Sequence, residues 1–325
     1  MTSTSFAKGM YVRTMLGGIF FVVAVFALWG VRTHRAAAAE LPELIELAPG
    51  NSAFIGYVNL AELRKDFIIE QLAKMAAPVP LDPEYAEFVT ATGFDYARDL
   101  DRIVVATDED HTLAVADGRF DQRKIEQYAS RKGRLEQDGE RPVYAIKSAK
   151  TGHDIRLAFL GPHRLAFAQG GRSPQQIVGP PATLDAAMRQ RLSRVAGAPA
   201  FAGWRVPQAT MQAHGGATDF VFAALKSVRA IDLAVKPDGK EMLISAEGEC
   251  EDDAQAQKLA GTLGLLRTFL PAGLADPKMR GGLAPESAAL LAHLVQGAAI
   301  STDSERVRLV LRITPQMIGT SAGGQ

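Results

Sequence analysis

An α+β body of two similar antiparallel-sheet units, with helices packed on one face and one transmembrane helix ahead of it, is the fold the sequence predicts. Three observations predict it. A charge-free apolar run extends from Thr14 to Val31, strand-turn-strand patterns lead into helices, and short sequence echoes recur in the same order in both halves of the 325-residue chain. The layout divides into a tail and signal-anchor over 1–35, a first α+β unit over 41–178 and a second over 183–319.

The run TMLGGIFFVVAVFALWGV holds 18 residues without Asp, Glu, Lys, Arg or His. As a helix it reaches ~27 Å at ~1.5 Å per residue, near the lower limit for a bilayer core of ~30 Å. Tyr11 and Trp29 suit the two interfaces, and Arg13 and Arg32 lie where their heads can snorkel into the headgroups. Gly17 and Gly18 weaken a helix in water but are tolerated in lipid. An uncleaved signal-anchor accounts for these features best. A cleaved signal peptide draws support from Lys8 and Arg13 as a basic n-region and from Ala36 to Ala39 as a small-residue cleavage site, but Arg32, His34 and Arg35 would give it a charged c-region. A buried core helix of this length would show a polar face, and this one shows none. Lys8 and Arg13 before the run balance Arg32 and Arg35 after it, so the positive-inside count does not set orientation. A short tail before the first apolar segment and a long body after it place the C-terminal bulk outside the cytoplasm.

The formal net charge is zero, but the first 35 residues carry four basic side chains and no acidic one, leaving 32 of the 36 Lys and Arg against 36 Asp and Glu in the rest. That net of −4 gives no electrostatic footprint for nucleic acid. Apolar residues at 47% and charged residues at 22% mark a globular chain rather than a disordered one. Cys250 is the single cysteine, so no intrachain disulfide exists, and no cysteine follows the apolar run as a lipidation site.

Short echoes in the body are read as a duplication, the alternative being that α+β proteins all contain strand-turn-strand-helix units and short matches arise by chance. Ala53-Phe54-Ile55-Gly56-Tyr57 resembles Ala200-Phe201-Ala202-Gly203-Trp204, and each follows a proline (Pro49, Pro199) and a helical stretch (Leu41 to Leu47, Leu184 to Val195). Ile103 to Phe120 reads as strand, turn and strand before a helix from Gln122 to Ala129. Ile231 to Cys250 reads likewise before a helix from Asp252 to Arg267. Pro174-Gln175-Gln176-Ile177 resembles Pro315-Gln316-Met317-Ile318. Period-two alternation supports the strands: Ile103, Val105 and Thr107 point one way, Val104 and Ala106 the other. Asp108 to Asp110 makes one turn, and Pro237-Asp238-Gly239 gives a strong hairpin signal in the second half. Asp121 suits an N-cap, and Glu251 and Asp252 place negative charge at the next helix start. Val143 to Lys147, Asp154 to Leu160 and Arg164 to Ala168 add strands, with Gly161-Pro162 as a turn; Ala298 to Thr302 and Arg306 to Thr314 form the closing hairpin. Gly179-Pro180-Pro181-Ala182 marks the boundary between the units.

Candidate chemistry is sparse. Asp108-Glu109-Asp110-His111 contains metal-ligand types, but it lacks the Gly and closing Glu of an EF-hand and sits where a hairpin needs solvated turn residues. His153-Asp154 and His163 flank one strand without a visible third ligand. Around Cys250 the acidic residues Glu249, Glu251, Asp252 and Asp253 oppose a thiolate, so it reads as structural. Glu84 and Glu87 share a helix face with Tyr85 and Phe88 nearby, a solvated face by default. The helix Phe67 to Met75 is amphipathic and reads as a cover for a sheet. No G-x-S-x-G, H-E-x-x-H, Walker A or G-x-G-x-x-G motif occurs, and Gly215-Gly216 and Gly281-Gly282 read as turns. No catalytic, metal or cofactor residue is assigned.

The stretch Leu44-Ile45-Glu46-Leu47-Ala48-Pro49-Gly50-Asn51-Ser52-Ala53-Phe54-Ile55-Gly56-Tyr57-Val58-Asn59-Leu60 resembles the opening of uncharacterised bacterial envelope proteins, in which α+β repeats follow an N-terminal anchor or signal. Its echo at Ala198 to Val206 lacks the Asn-Ser pair. The resemblance implies a compartment and a fold and no catalytic residues. The expectation is a single-pass inner-membrane protein with a periplasmic body that binds another protein or an envelope component. The alternatives are an envelope hydrolase with a dispersed active site and a structural spacer.

Overall fold

The computed structural model describes residues 40–75, 83–138, 141–147, 152–170, 174, 184–207, 226–276 and 285–319. The expected anchor at 14–31, the boundary at 179–182 and the glycine pairs at 215–216 and 281–282 lie outside them. Among the described residues no helix is long and apolar enough to cross a membrane. The fold is mixed α+β, with a large antiparallel sheet and several helices. Two compact units share the chain, one of residues 35–234 and 248–250, the other including 235–247 and 251–325.

The larger unit begins with a 3-10 helix (Glu43–Leu47) and β1 (Phe54–Asn59). Four helices follow: α1 (Leu60–Leu63), α2 (Phe67–Met75), α3 (Pro83–Thr92) and α4 (Tyr96–Asp99). Then come β2 (Leu100–Thr107), β3 (Thr112–Gly118), α5 (Gln122–Lys132), β4 (Gly133–Asp138), β5 (Arg141–Lys147), β6 (Asp154–Gly161), β7 (Arg164–Gln169), α6 (Ala186–Val195) and β8 (Ala200–Arg205). The strands lie in the order β8-β1-β2-β3-β7-β6-β5-β4. Each neighbouring pair is antiparallel. The echoing strands β1 and β8 are themselves partners, with Gly56 opposite Ala202 and Tyr57 opposite Phe201.

Helices cover both faces of this sheet, which corrects the expectation of helices on one face. On one face Ile55, Val104, Leu113, Val115 and Phe201 pack with Leu44 and Ile45 of the 3-10 helix and Met188 and Leu192 of α6. On the other, Leu157, Phe159 and Leu165 pack with Ile125 and Ala129 of α5 and with Phe88 of α3. The physical reason lies in the strands. Successive side chains point to opposite faces, and runs such as Leu165-Ala166-Phe167 are apolar at every position, so each face needs a cover. The helices are fixed at their starts: the Asp121 carboxylate accepts from Lys124 N at 3.1 Å, and that of Asp185 from Ala187 N and Met188 N at 2.8 and 3.1 Å. Gly203 lets α6 lie close to β8, because a Cβ there would meet Met188 Sδ at 3.0 Å and Leu192 Cδ2 at 3.1 Å.

β9 (Val228–Asp238) and β10 (Glu241–Cys250) form a hairpin whose residues divide between the units, and its turn uses Gly239 at φ +64°, as the Asp-Gly signal predicts. In the smaller unit α7 (Asp253–Ala275), α8 (Pro285–Gln296), β11 (Ala299–Asp303), β12 (Arg306–Ile313) and α9 (Pro315–Gly319) follow, with strand order β10-β12-β11. Asp252 caps α7 by accepting from Gln255 N at 2.8 Å. One connection pattern therefore occurs in each unit. β3 leads into a capped helix, and the closing hairpin β6–β7 returns with β7 beside β3. β10 leads into a capped helix, and β11–β12 returns with β12 beside β10. The first excursion contains the β4–β5 hairpin and the second contains α8.

Phe201 is fully buried, with its ring centroid 5.2 Å from that of Tyr57. Phe201→Ala is expected to lower unfolding stability by about 3–5 kcal/mol through lost burial and a residual cavity, read as an earlier midpoint in chemical denaturation of the full-length protein.

Candidate functional site

An open cleft of about 620 Å³ lies at one end of the larger unit's strands and is lined by Asn59, Asp101, Arg102, Asp117, Arg119, His163 and Arg164, with Leu160 and Pro162 among its apolar walls. Its floor is a row of polar side chains set by register. Asn59 of β1 stands opposite Arg102 of β2, Arg102 opposite Asp117 of β3, and Asp117 opposite Arg164 of β7. Two residues further along each strand the same face is apolar, with Tyr57, Val104, Val115 and Ala166 in the core. The row is thus where the core face meets water.

Asp117 is 7% exposed and is held by two guanidinium groups. Arg164 donates from Nε to Oδ1 at 2.7 Å and from Nη2 to Oδ2 at 3.1 Å, and Arg102 donates from Nη2 to Oδ2 at 2.8 Å. Arg164 also donates from Nη1 to Glu43 Oε1 at 2.9 Å, which ties the 3-10 helix to the sheet. The hydrogen bonds to Asp117 outweigh burial and hold the Arg164 pKa above its ordinary value. Burial raises the Tyr57 phenol, against a smaller opposing effect of Arg102.

Two irregularities in the ladder shape the cleft. The β2–β3 register shifts between Leu100 and Arg102, and the β6–β7 register shifts between Phe159 and Gly161. The extra residues are Asp101 and Leu160, and both line the cleft. A bulge leaves one residue unpaired and re-aims its neighbours, a device found beside binding and catalytic sites. Asp101 is drawn to Arg64, whose Nη2 lies 2.9 Å from Oδ1. Next to the cleft, Asp99 accepts from Arg98 Nε at 2.9 Å and Nη2 at 2.6 Å and from Asp95 N at 3.0 Å. The Arg98 hydrogen bonds outweigh burial and bring the Asp99 pKa down to about 2.

The cleft combines charged side chains with apolar walls. Its lining includes no Ser, Thr, Cys, Tyr or Lys to act as a nucleophile, and its two carboxylates are engaged by arginines. Arg102 and Arg119, with side chains 43% and 63% exposed, keep part of their donor surface towards solvent.

Of the candidate chemical residues singled out in the sequence, His163 lines this cleft, beside the Gly161-Pro162 turn. Asp108 serves its own turn: Oδ1 accepts from Asp110 N at 2.8 Å and His111 N at 2.7 Å, with the His111 ring 3.2 Å away. Burial pushes the Asp108 carboxyl up, but these hydrogen bonds together hold its pKa below the ordinary value. Asp154 pairs with Arg134 at 2.7 Å, and Cys250 is buried. Glu87 reaches Lys132 of α5 at 2.6 Å, and the Tyr85 hydroxyl accepts from Tyr96 N at 3.3 Å. In α2, Ile68, Ile69 and Leu72 are buried, whereas Phe67 is exposed. Among the described residues no cluster of three or more His, Cys, Asp or Glu could hold a metal ion.

Sequence reasoning missed the Arg102-Asp117-Arg164 row. A signal was present: each charge lies two residues from an apolar residue of the same strand face (Val104, Val115, Ala166), and the signs alternate across neighbouring strands.

No family model and no curated protein matches the chain. Among solved structures, crystal form I of TP0453 is similar over 88% of this chain and 98% of that one at 9% identity, with a TM-score of 0.42. Crystal form III of TP0453 is similar over 87% and 98% at 10% identity, with a TM-score of 0.41. Likeness at that level carries nothing further for this chain, and it supplies no family for the envelope resemblance of residues 44–60.

Asp117→Ala is expected to destabilise by about 3–5 kcal/mol, because it leaves two guanidinium groups around an emptied buried position. Arg119→Gln, on the exposed rim with an ion pair to Asp99 at 3.6 Å, should cost no more than about 1 kcal/mol, and urea denaturation of both variants checks the contrast. Asp99 titrates lower in the folded protein than its ordinary value of 3.8. Its stabilising contribution is therefore full above that value and is lost as pH falls through about 2. Asp99→Asn should flatten the acid limb of stability against pH in this window.

Proposed function

We propose that the chain is a membrane-tethered, extracytoplasmic protein of the bacterial envelope, anchored by Thr14 to Val31, whose α+β body binds another protein or an envelope component. The observation that carries this reading is the pairing of a charge-free apolar run with a body whose cleft offers guanidinium groups over an ion-paired floor. We read the body as a duplication over 41–178 and 183–319. The echo of β1 in β8 and the recurrence of strand, capped helix and closing hairpin support that reading. The tether is a single-pass inner-membrane helix with the body in the periplasm.

In-cell crosslinking and pull-down of the full-length protein should recover a reproducible partner, and recovery should fall when Arg102 and Arg119 are both replaced by Gln. A C-terminal alkaline phosphatase fusion should be active. Failure to recover any partner, together with turnover in a hydrolase screen that His163→Ala abolishes, would replace this reading with an envelope hydrolase. An inactive fusion would overturn the periplasmic placement.

A further inference from the structure

Helix α7 covers its own unit's core with Ala256, Leu259 and Leu274. The opposite side is unusual. Spacing of four residues puts Gly261, Leu265 and Phe269 in one row on that outer side. Leu265 is 53% and Phe269 67% exposed, among the most exposed large apolar side chains of the described residues. Between Leu259 and Ala275 the only charged residue is Arg267, and it is engaged elsewhere, donating from Nη1 to the Ala298 carbonyl at 3.1 Å. The outer row therefore presents apolar surface without a charge.

Gly261 gives that row its shape. A glycine in a helix interior costs about 0.5–1 kcal/mol relative to alanine. At Gly261 no heavy atom of the described residues lies within 4 Å of where a Cβ would sit, so close packing among them does not explain it. It forms a hollow, and two turns along the same row stands the exposed ring of Phe269. A hollow and a knob on one row are self-complementary under a twofold axis. In an antiparallel crossing centred on Leu265, Leu265 meets Leu265 of the second copy, and Phe269 of each copy lies over Gly261 of the other.

Charge selects the same arrangement. Antiparallel crossing carries Lys258, exposed on this side, towards the carbonyl end of the opposing helix, where Asp276 is the C-cap. Parallel crossing would set Lys258 against Lys258. A helix lying on an anionic bilayer carries basic residues along its polar flanks, whereas α7 has only Lys258 and Arg267 beside Asp253, with Asp252 and Asp276 at its ends. We propose that the outer face of α7 is a homodimerisation surface, with two copies crossing antiparallel at Leu265 and each Phe269 seated on the other copy's Gly261. One helix crossing buries less than the roughly 1,200 Å² of a standard stable interface, so the dimer is weak and concentration-dependent.

Disulfide trapping in full-length protein tests this, both in cells and after purification in a non-ionic detergent. Buried Cys250 stays in place, and the unmodified protein serves as the background. Leu265→Cys should give a disulfide-linked dimer on a non-reducing gel, while Lys240→Cys, in the β9–β10 turn, should stay at background. Adding Phe269→Glu or Gly261→Leu to Leu265→Cys should cut the dimer fraction roughly tenfold, as expected for a buried charge or a filled hollow at a packed contact. Both positions are exposed, and circular dichroism of each variant confirms that the fold is retained. Equal trapping at Lys240 and Leu265, or no response to Phe269→Glu and Gly261→Leu, would overturn the proposal. So would trapping to a different protein alone, or quenching of a Leu265→Cys label by a lipid-phase nitroxide, which would assign the face to a heterologous partner or to the bilayer. These readouts are independent of the cleft, so a failed dimer leaves the binding reading standing.

Discussion

The carboxylate of Asp117 is the point on which the larger unit turns. It is buried, and it is compatible with burial only because Arg164 grips both of its oxygens and Arg102 takes a further hydrogen bond. The three residues come from β2, β3 and β7, so the contact exists only when all three strands are in register. A slip of one residue would turn Asp117 to the opposite face and aim it at the layer that holds Leu165 and Phe159. An apolar row would bury more area but would tolerate slippage more readily. A buried ion pair contributes little net stability beside an apolar substitute, and specifying register is its best-attested use. The same group connects the sheet to the 3-10 helix that packs on one core, because Arg164 also donates to Glu43.

The cleft follows from this row rather than being added to it. Where the core face ends in charge, the helical cover stops and water enters. Asp101 and Leu160, each out of pairing at a register shift, line the cleft's mouth. Structural demand consumes the acids first: Asp117 goes to two arginines, Asp101 to Arg64 and Asp99 to Arg98. Cation surface is what remains accessible, at Arg102 and Arg119.

The sequence made most of the elements legible and the site hardly at all, for one physical reason. Period and turn chemistry are local, so Ile103 to Thr107, the Asp-Gly turn at Gly239 and the Asp121 cap can each be read from a few neighbours. β4 escaped because Gly133-Arg134-Leu135-Glu136-Gln137-Asp138 is polar at nearly every position, and its partner β5 organises it. Helices are needed on both faces because strands such as Ile103 to Thr107 are apolar on both of their alternating sides. The cleft joins residues up to 105 positions apart, from Asn59 to Arg164, and only the strand order places them side by side. Arg102 and Arg164 stand near strand ends, where a charged residue is ordinary when judged from its neighbours alone. Pairing the charges on each strand's core-facing period with those of candidate neighbours would have found the row.

The helices α5 and α7 hold equivalent places in their connection patterns, and their outer faces differ in kind. α5 buries Ile125, Tyr128 and Ala129 and turns Gln122, Arg123, Lys124 and Glu126 outward, where Gln122 donates to Glu126 at 2.9 Å. That is a helix finished by water. α7 buries the same kind of inner stripe but turns Gly261, Leu265 and Phe269 outward. Sheet packing alone asks for one apolar side per helix, and α5 shows that this topology is satisfied with a polar exterior. The second apolar side of α7 is therefore not a requirement of the fold. Its open glycine and exposed phenylalanine both carry a cost in the isolated chain, and a single contact, another helix crossing at Leu265, offsets both.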